Sequence, residues 1–213
     1  MAKLHTLTDY GKAATIAALW TTANSLGTPV PTATASGLSF APPSATAGTN
    51  YPVLDSVTTY DLTGSHGFVH VSSMVIANAN LEAAPIELKV DSNNNYRWRY
   101  SNGTLAAQKK VGGVSSDLYT ATWSLTTHAW LRIRESGGTV YFDTSTDGIT
   151  WTNRATNASS AFAITACTFE VFAGTLASVS NPGALVVDSI NGAPARRVTE
   201  IVPTIRRVTV EWS

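Results

Sequence analysis

Charged side chains are scarce in this chain of 213 residues, where Asp, Glu, Lys and Arg make up 13%, about half of the ~25% usual for soluble domains. The 14 basic and 14 acidic side chains balance to a formal charge of zero. Proteins that bind nucleic acid need basic side chains to neutralise phosphates, and this sequence has no global excess of them. It also lacks any run of about 18 apolar residues, so the pattern predicts no transmembrane helix.

Cysteine occurs only once, at Cys167. A single cysteine cannot form an intramolecular disulfide or a thiolate-rich zinc site. In the segment TACTFEVF, Cys167 alternates with apolar neighbours. This pattern predicts a small buried hydrophobic residue and not a reactive nucleophile.

Hydroxyl side chains are abundant, with 30 Thr and 21 Ser residues. Threonine is β-branched and favours the pleated surface of a strand. After a loop-rich stretch at residues 27–50, turn signals recur every eight to twelve residues, which is typical of a sandwich or barrel. The sequence therefore predicts an all-β protein with an antiparallel β-sandwich fold.

Alternation of apolar and polar residues gives the predicted strands. They span residues 38–41, 53–60, 67–76, 86–90, 96–100, 105–111, 119–123, 130–135, 139–144, 168–173 and 185–190. Glycine-containing turns at 101–103, 136–138 and 146–148 predict three hairpins, because glycine adopts positive φ without steric cost.

Several segments, in this order, resemble the concanavalin A-like, laminin-G-like jelly-roll modules of minor tail proteins from phages of actinobacteria. They are LTDY with ALW (7–20), GLSF, TTYDLTGS (58–65), residues 87–113, residues 127–152, and VVDSI (186–190). The resemblance implies one jelly-roll sandwich over residues 1–190, including an N-terminal segment at 1–26 and the loop-rich stretch at 27–50. Because this fold hosts lectins, glycanases and passive structural modules, it implies function less specifically than fold.

The resemblance implies a non-enzymatic virion component, namely a minor tail or tail-tip accessory protein that acts by protein docking and surface display. Two alternatives are a capsid decoration protein and a carbohydrate-binding adhesin that recognises host glycans. The expected partners are other virion proteins of the tail or capsid and further copies of the chain, with a host surface glycan as the partner under the adhesin alternative. Nucleic acid, membrane and cofactors are not expected. The expected location is the virion, assembled in the host cytoplasm.

An enzyme on this fold would resemble retaining β-glucanases, which place Glu, Asp and Glu at alternate positions of one strand. In this sequence Glu82 and Glu87 flank Pro85 at an odd spacing, which predicts opposite faces of a strand. Glycoside hydrolysis needs two carboxyl groups close together. The spacing therefore predicts that the chain has no hydrolase activity.

Two interpretations remain open for the aromatic residues of YRWRY. Tyr96, Trp98 and Tyr100 share one face of a strand next to the polar segment DSNNN. They are either a glycan-binding platform together with Asn94, or part of the sandwich interior. Alternating aromatics usually build the interior of a sandwich, which favours the second interpretation.

A metal site has one weak candidate, Asp91, because Asp91 and the following asparagines carry the oxygen donors that calcium prefers. With a single carboxylate such a site would be weak, and a polar hairpin explains the segment equally well.

The jelly-roll pattern ends at Ile190, so residues 191–213 are predicted to form a C-terminal assembly arm. The segments VTEIV and VTVEW alternate like edge strands, and Pro203 separates them. Pairing with a neighbour's sheet would satisfy these edges, and pairing with the chain's own sheet is the alternative. The residues expected to make assembly contacts are Arg196, Arg197, Arg206, Arg207 and Trp212.

Overall fold

Two seven-stranded sheets pack face to face, and all strand pairs within them are antiparallel. The architecture comes from a computed structural model that describes residues 1–9, 18–23, 25, 30–43, 51–76, 81–175 and 182–192. The predicted all-β sandwich of jelly-roll type is confirmed.

The first sheet, called the front sheet below, is built around a meander of four long strands. In spatial order its strands are β1 (Trp20–Thr21), β4 (Val53–Ser56), β13 (Thr168–Thr175), β6 (Leu81–Asp91), β7 (Asn94–Ser101), β8 (Thr104–Val111) and β9 (Val114–Thr122).

The second sheet, called the back sheet, has β5 and β10 near its centre. In spatial order its strands are β12 (Thr152–Ala158), β11 (Thr139–Ser145), β10 (Trp130–Ser136), β5 (His66–Ile76), β14 (Gly183–Ile190), β3 (Gly37–Phe40) and β2 (Thr32–Thr34). Short 3₁₀ turns lie at Leu4–Thr6 and Ser159–Ala161, and one α-helical turn spans Leu125–His128.

The predicted strands agree with the structure along most of the described chain, but β12 and the short strands β1 and β2 were missed. The sequence of β12, TNRATNA, is polar on both sides and has no fully buried residue. The edge position of β12 explains this, because an edge strand can leave both faces partly exposed. Sequence alternation reports only strands that have one face in the core.

The sandwich interior is dominated by the aromatic side chains of β7. Trp98 is fully buried and meets Phe142 of the back sheet edge-to-face at 5.7 Å, a favourable arrangement for aromatic pairs. The indole N–H of Trp98 donates to the carbonyl oxygen of Arg132 at 3.1 Å. Trp98 therefore joins the two sheets by both packing and a hydrogen bond.

Two predicted hairpins use turn residues in the left-handed region. Asn102 has φ of 49° and Gly103 of 78°, and Gly137 and Gly138 have φ of 59° and 81°. Positive φ at both central residues defines the type I′ turn, whose twist matches that of the flanking strands. These two hairpins are confirmed.

Cys167 lies in the core, as its apolar neighbours predict. It is 1% exposed, and its thiol contacts the carbonyl oxygen of Ile164 at 3.4 Å. Burial raises the pKa of the Cys167 thiol to about 12. At neutral pH the thiol is therefore protonated and unreactive.

Nothing from residue 193 onward lies within the described residues, so the predicted assembly arm and its contact residues stay predictions. Among the described residues, no helix has the length and apolar character needed to cross a membrane.

Replacing Trp98 with Ala should destabilise the fold by about 3–5 kcal/mol, the usual cost of a large buried cavity. The change also removes the hydrogen bond that the indole donates to the Arg132 carbonyl. Urea unfolding would measure the change in free energy, with Val114→Ala as a control, because Val114 is 69% exposed. That control should change stability by less than about 0.5 kcal/mol. A Trp98→Ala effect as small as the control would contradict the bridging role of Trp98.

Candidate functional site

A line of polar side chains crosses the outward face of the front sheet. These residues occupy directly paired positions on five adjacent strands and on the edge strand β9. We call this set the polar row: Asp55, Glu170, Glu87, Arg97, Gln108 and Asp117.

A β-bulge in β6 determines which carboxylates reach this face. Ala83 pairs with Tyr100 and Ile86 pairs with Trp98, so β6 uses one residue more than β7 between these pairs. The extra residue lies next to Pro85, which has no backbone N–H to donate and is tolerated in strands at such bulges.

The bulge overturns the prediction that Glu82 and Glu87 point to opposite faces. Glu82 bonds to Arg99 at 2.7 Å and Glu87 to Arg97 at 3.4 Å. Both arginines lie on the outward face, so both glutamates do as well. Residues at an odd spacing face opposite sides of a regular strand. Here the bulge adds one residue between Glu82 and Glu87, so the two side chains face the same side.

Hydrogen bonds run continuously along one half of the polar row. Arg97 donates from Nη1 to Glu87 and from Nε to Gln108 Oε1 at 2.7 Å. Gln108 in turn donates from Nε2 to Asp117 Oδ1 at 2.7 Å. Donors and acceptors therefore alternate along this line, and each side chain is held in position by its neighbours.

In the other half, Lys89 contacts two acidic side chains. Its ammonium lies 2.9 Å from Asp55 Oδ1 and also contacts the carboxyl group of Glu170. Burial, followed by the charge of Glu87, raises the pKa of Glu170 to about 8. Burial also raises the pKa of Glu87. Two buried carboxyl groups at directly paired positions resist simultaneous ionisation, which favours a protonated Glu170 at neutral pH.

An apolar cluster borders the polar row on the same face. Tyr51 and Phe172, which we call the aromatic edge, have ring centroids 6.1 Å apart, and Val53 and Ala84 pack with them. The hydroxyl of Tyr51 donates to the carbonyl oxygen of Thr175 at 3.0 Å.

Gly174 is required for the position of the Tyr51 ring. A Cβ atom added to Gly174 would lie 2.0 Å from Tyr51 Cε1, closer than any real contact. The ring therefore rests on the glycine backbone, and the outward face combines an aromatic surface with charged groups.

The carboxyl groups of Glu87 and Glu170 project from directly paired positions on the same face of the sheet. Residues at such positions have Cβ atoms about 4.5–5.5 Å apart, so the two side chains are neighbours. Retaining glycosidases also use two neighbouring carboxyl groups. In those enzymes one group is a protonated acid, and a raised pKa provides that state.

Sequence reasoning missed this pair because Glu87 and Glu170 lie 83 positions apart and meet only by sheet pairing. One signal was present: Glu170 is the single charged residue in the predicted strand at 168–173. A charge inside an otherwise apolar strand commonly marks an outward position with a specific partner.

The three aromatic side chains of YRWRY are not a binding platform, and the interior interpretation is correct. Tyr96, Trp98 and Tyr100 are 0% exposed, so no glycan can stack on them. Their polar atoms are also used internally, since Tyr96 Oη donates to the Ala158 carbonyl at 3.3 Å. The hydroxyl of Tyr100 accepts a hydrogen bond from the backbone N–H of Gly103 at 3.0 Å.

Asp91 and Asn94 stabilise the hairpin between β6 and β7. Asp91 accepts hydrogen bonds from the Asn94 amide at 3.0 Å and from the backbone N–H of Asn93 at 2.7 Å. These bonds, that of Asn94 first, lower the pKa of Asp91. Within the described ranges, no three His, Cys, Asp or Glu residues are grouped to hold a metal ion.

Neither a protein-family model nor a curated protein sequence matches this chain. Solved structures do. A Crh5 transglycosylase in complex with NAG matches with TM-score 0.64 and 14% identity, over 88% of this chain and 84% of that one. A prokaryotic β-1,3-1,4-glucanase (lichenase) derived from a mouse hindgut metagenome matches with TM-score 0.64 and 6% identity, over 88% and 98%. A Bacillus licheniformis β-glucanase matches with TM-score 0.59 and 11% identity, over 86% and 95%.

At these identities the matches show a shared concanavalin A-like jelly-roll fold. They also correct two sequence-based predictions. The chain was expected to be a non-enzymatic phage virion component, but the matching structures named above are glycosidases and a transglycosylase, with no virion protein among them. The prediction that enzymatic function is excluded is wrong, and its main premise, the opposite orientation of Glu82 and Glu87, fails as well.

The raised pKa of Glu170 should make stability depend on pH. The folded pKa of about 8 exceeds the unfolded value of ~4.3, so between these values the folded state binds more protons than the unfolded state. The extra proton bound by folded Glu170 favours folding. This stabilisation is complete at a pH below the unfolded pKa, and it is lost as the pH rises through the folded pKa. Between about pH 5 and pH 8, the free energy of unfolding of the wild type should fall by on the order of 2 kcal/mol more than that of Glu170→Gln.

Urea unfolding of both proteins at several pH values would measure this difference. Gln108→Asn is a suitable control, because it perturbs the same polar row and leaves the Glu170 carboxyl in place. This control should follow the pH dependence of the wild type. Parallel profiles for the wild type and Glu170→Gln would show that Glu170 is ionised throughout this range.

Proposed function

We propose that this protein binds a glycan on the outward face of its front sheet. The observation that supports this most directly is the position of the polar row beside the aromatic edge on one sheet face. Sugars present hydroxyl groups that both donate and accept hydrogen bonds, and they present apolar C–H faces. A surface with alternating donors and acceptors next to an aromatic ring matches both features.

The exposure of the side chains shows how a ligand would approach. The carboxylates lie deepest, with Glu87 and Glu170 only 5% and 8% exposed. The side chains of Lys89 and Arg97 are 22% and 17% exposed, so the cationic groups lie nearer the surface. A glycan would therefore meet Lys89, Arg97 and the ring of Tyr51 first.

The fold comparison is consistent with this proposal. The matching structures include a transglycosylase in complex with NAG and enzymes named for β-1,3-1,4-glucan and β-1,3(4)-glucan. Because fold alone does not determine function, we base the proposal on the outward face and use these names only to choose test ligands.

Glycosidic bond cleavage is the second candidate, and the Glu87–Glu170 pair favours it. In a retaining mechanism, protonated Glu170 would donate its proton to the glycosidic oxygen while Glu87 attacks the anomeric carbon. Deprotonated Glu170 would then activate a water molecule that releases the sugar from Glu87. Here the pair spans two strands, and Lys89 occupies the alternate position of β6 where the glucanase pattern has a carboxylate.

Calorimetric titration with β-1,3-glucan, β-1,3-1,4-glucan and chitin oligosaccharides tests glycan binding. Tyr51→Ala should weaken binding about tenfold or more, equivalent to ~1.4 kcal/mol, because it removes the stacking surface. Tyr141→Ala on the outward face of the back sheet is the matched control, and its affinity should be unchanged. Absence of binding to all three ligands, or equal losses in both variants, would contradict the proposal.

Cleavage is tested on the same oligosaccharides by separating the products. If the second candidate holds, the wild type releases shorter oligosaccharides, and Glu170→Gln and Glu87→Gln each abolish release while binding persists. Binding without any release by the wild type would leave glycan recognition supported and would reject cleavage.

A further inference from the structure

A small cavity opens at the end of β11 and β12, on the back sheet and away from the polar row. Its volume is about 160 Å³, and its walls include Thr144, Ser145, Thr146, Thr150, Thr152 and Arg154. We call it the threonine pocket. Its lining side chains are hydroxyl groups and one guanidinium, so it contains many hydrogen-bond donors and no carboxylate.

Arg154 differs from the other arginines that the structure describes. Arg97 and Arg99 each bind a glutamate, and Arg132 and Arg134 share the carboxylate of Asp143. Arg154 has no carboxylate within 4.0 Å among the described residues.

The orientation of Arg154 leaves the outer part of its guanidinium available. Its Nε donates to Thr144 Oγ1 at 2.9 Å, which fixes the plane of the group. Its Cζ lies 5.9 Å from the ring of Tyr119 on the other sheet. Neither contact occupies the two Nη groups, which together can bind the two oxygens of a carboxylate end-on.

The hydroxyl groups around Arg154 extend the donor set. Thr144 is 1% exposed, and its Oγ1 accepts from Arg154, so it positions the guanidinium. The hydroxyls of Thr146 and Thr152 make no hydrogen bond to any other described residue. Ser145 is committed elsewhere, because it donates to Asp147 and accepts from two backbone N–H groups.

Two further titratable groups lie near the pocket. Asp147 accepts from the backbone N–H groups of Ile149 and Thr150, each at 2.8 Å, and these bonds lower the pKa of Asp147 to about 2. The Oδ1 atom of Asp147 is thus hydrogen-bonded within its own loop. Burial, and then the charge of Arg154, lowers the pKa of His128. His128 is therefore neutral at neutral pH, and Arg154 alone supplies the positive charge.

We infer that the threonine pocket binds an oxyanion, and that this oxyanion is the carboxylate of a small hydroxylated acid such as a uronic acid. The carboxylate pairs with the two Nη groups of Arg154, and the threonine hydroxyls bind the hydroxyl groups of the same molecule. The pocket volume of about 160 Å³ is several times the ~30 Å³ that one water molecule occupies in the liquid. The pocket therefore has room for the carboxylate and for part of the molecule that bears it. The polar row, with its buried carboxylates, is not suited to such an anion, so this inference is independent of the proposed function.

Two-dimensional NMR titration of the full chain tests this inference, at constant ionic strength maintained with sodium chloride. Sodium glucuronate should shift the amides of residues 144–154 saturably, and glucose should shift none of them. Sodium sulfate is the third ligand and represents a free tetrahedral oxyanion. Because arginine stays charged, the glucuronate affinity should be the same at about pH 6 and pH 8.

Arg154→Gln should weaken glucuronate binding about tenfold or more, because a charge-assisted pair is lost. Thr152→Val should weaken it about threefold to tenfold by removing one neutral hydrogen bond, and it keeps the protein folded because Thr152 is exposed. Lys110→Gln, on the front sheet, is the charge-matched control and should bind like the wild type.

Three outcomes would overturn the inference. The first is no saturable shift with glucuronate at tens of millimolar. The second is equal affinity in Arg154→Gln and the wild type while the spectrum shows a folded protein. The third is saturation by sulfate alone, which would mean that the pocket selects a tetrahedral anion and not a carboxylate.

Discussion

The alternation of side chains along β7 is the constraint on which both sides of the front sheet depend. Three aromatic residues of this strand fill the interior, so the two arginines between them must face outward. Once Arg97 and Arg99 are outside, the neighbouring strand needs carboxylates opposite them, and Glu87 and Glu82 supply these. The core and the polar row are thus two consequences of one pattern, and shifting the register by one residue would destroy both.

The bulge at Pro85 makes the two strands compatible. Without it, Glu82 would point into an interior lined by Tyr100 and its neighbours, where an unpaired charge is very costly. A second effect concerns Ala84, which the bulge turns toward Phe172 on the outward face. The same irregularity therefore pairs the charged residues and builds the apolar border beside them. Bulges often re-aim side chains next to functional sites, and this one does so for both parts of the face.

The fold was predictable from the sequence because alternation and turn residues are local signals. Asn102–Gly103 and Gly137–Gly138 take the conformations that their residue types favour, and YRWRY orients as its pattern predicts. The candidate site was not predictable in the same way. Glu170 and Glu87 meet only because β13 pairs with β6, and that pairing is a long-range property. The orientation of Glu82 depends on a β-bulge, and Pro85 was the one sequence feature that indicated this bulge.

The buried thiol of Cys167 gives this protein a reporter of its own unfolding. Since the native thiol is 1% exposed and its pKa is raised to about 12, thiol-directed reagents meet an unreactive group while the sandwich is intact. When the sheets separate, the group becomes an ordinary cysteine, and its labelling rate then follows the opening of the core. With no second cysteine in the chain, every labelling event reports this one position, so opening can be followed without an added probe.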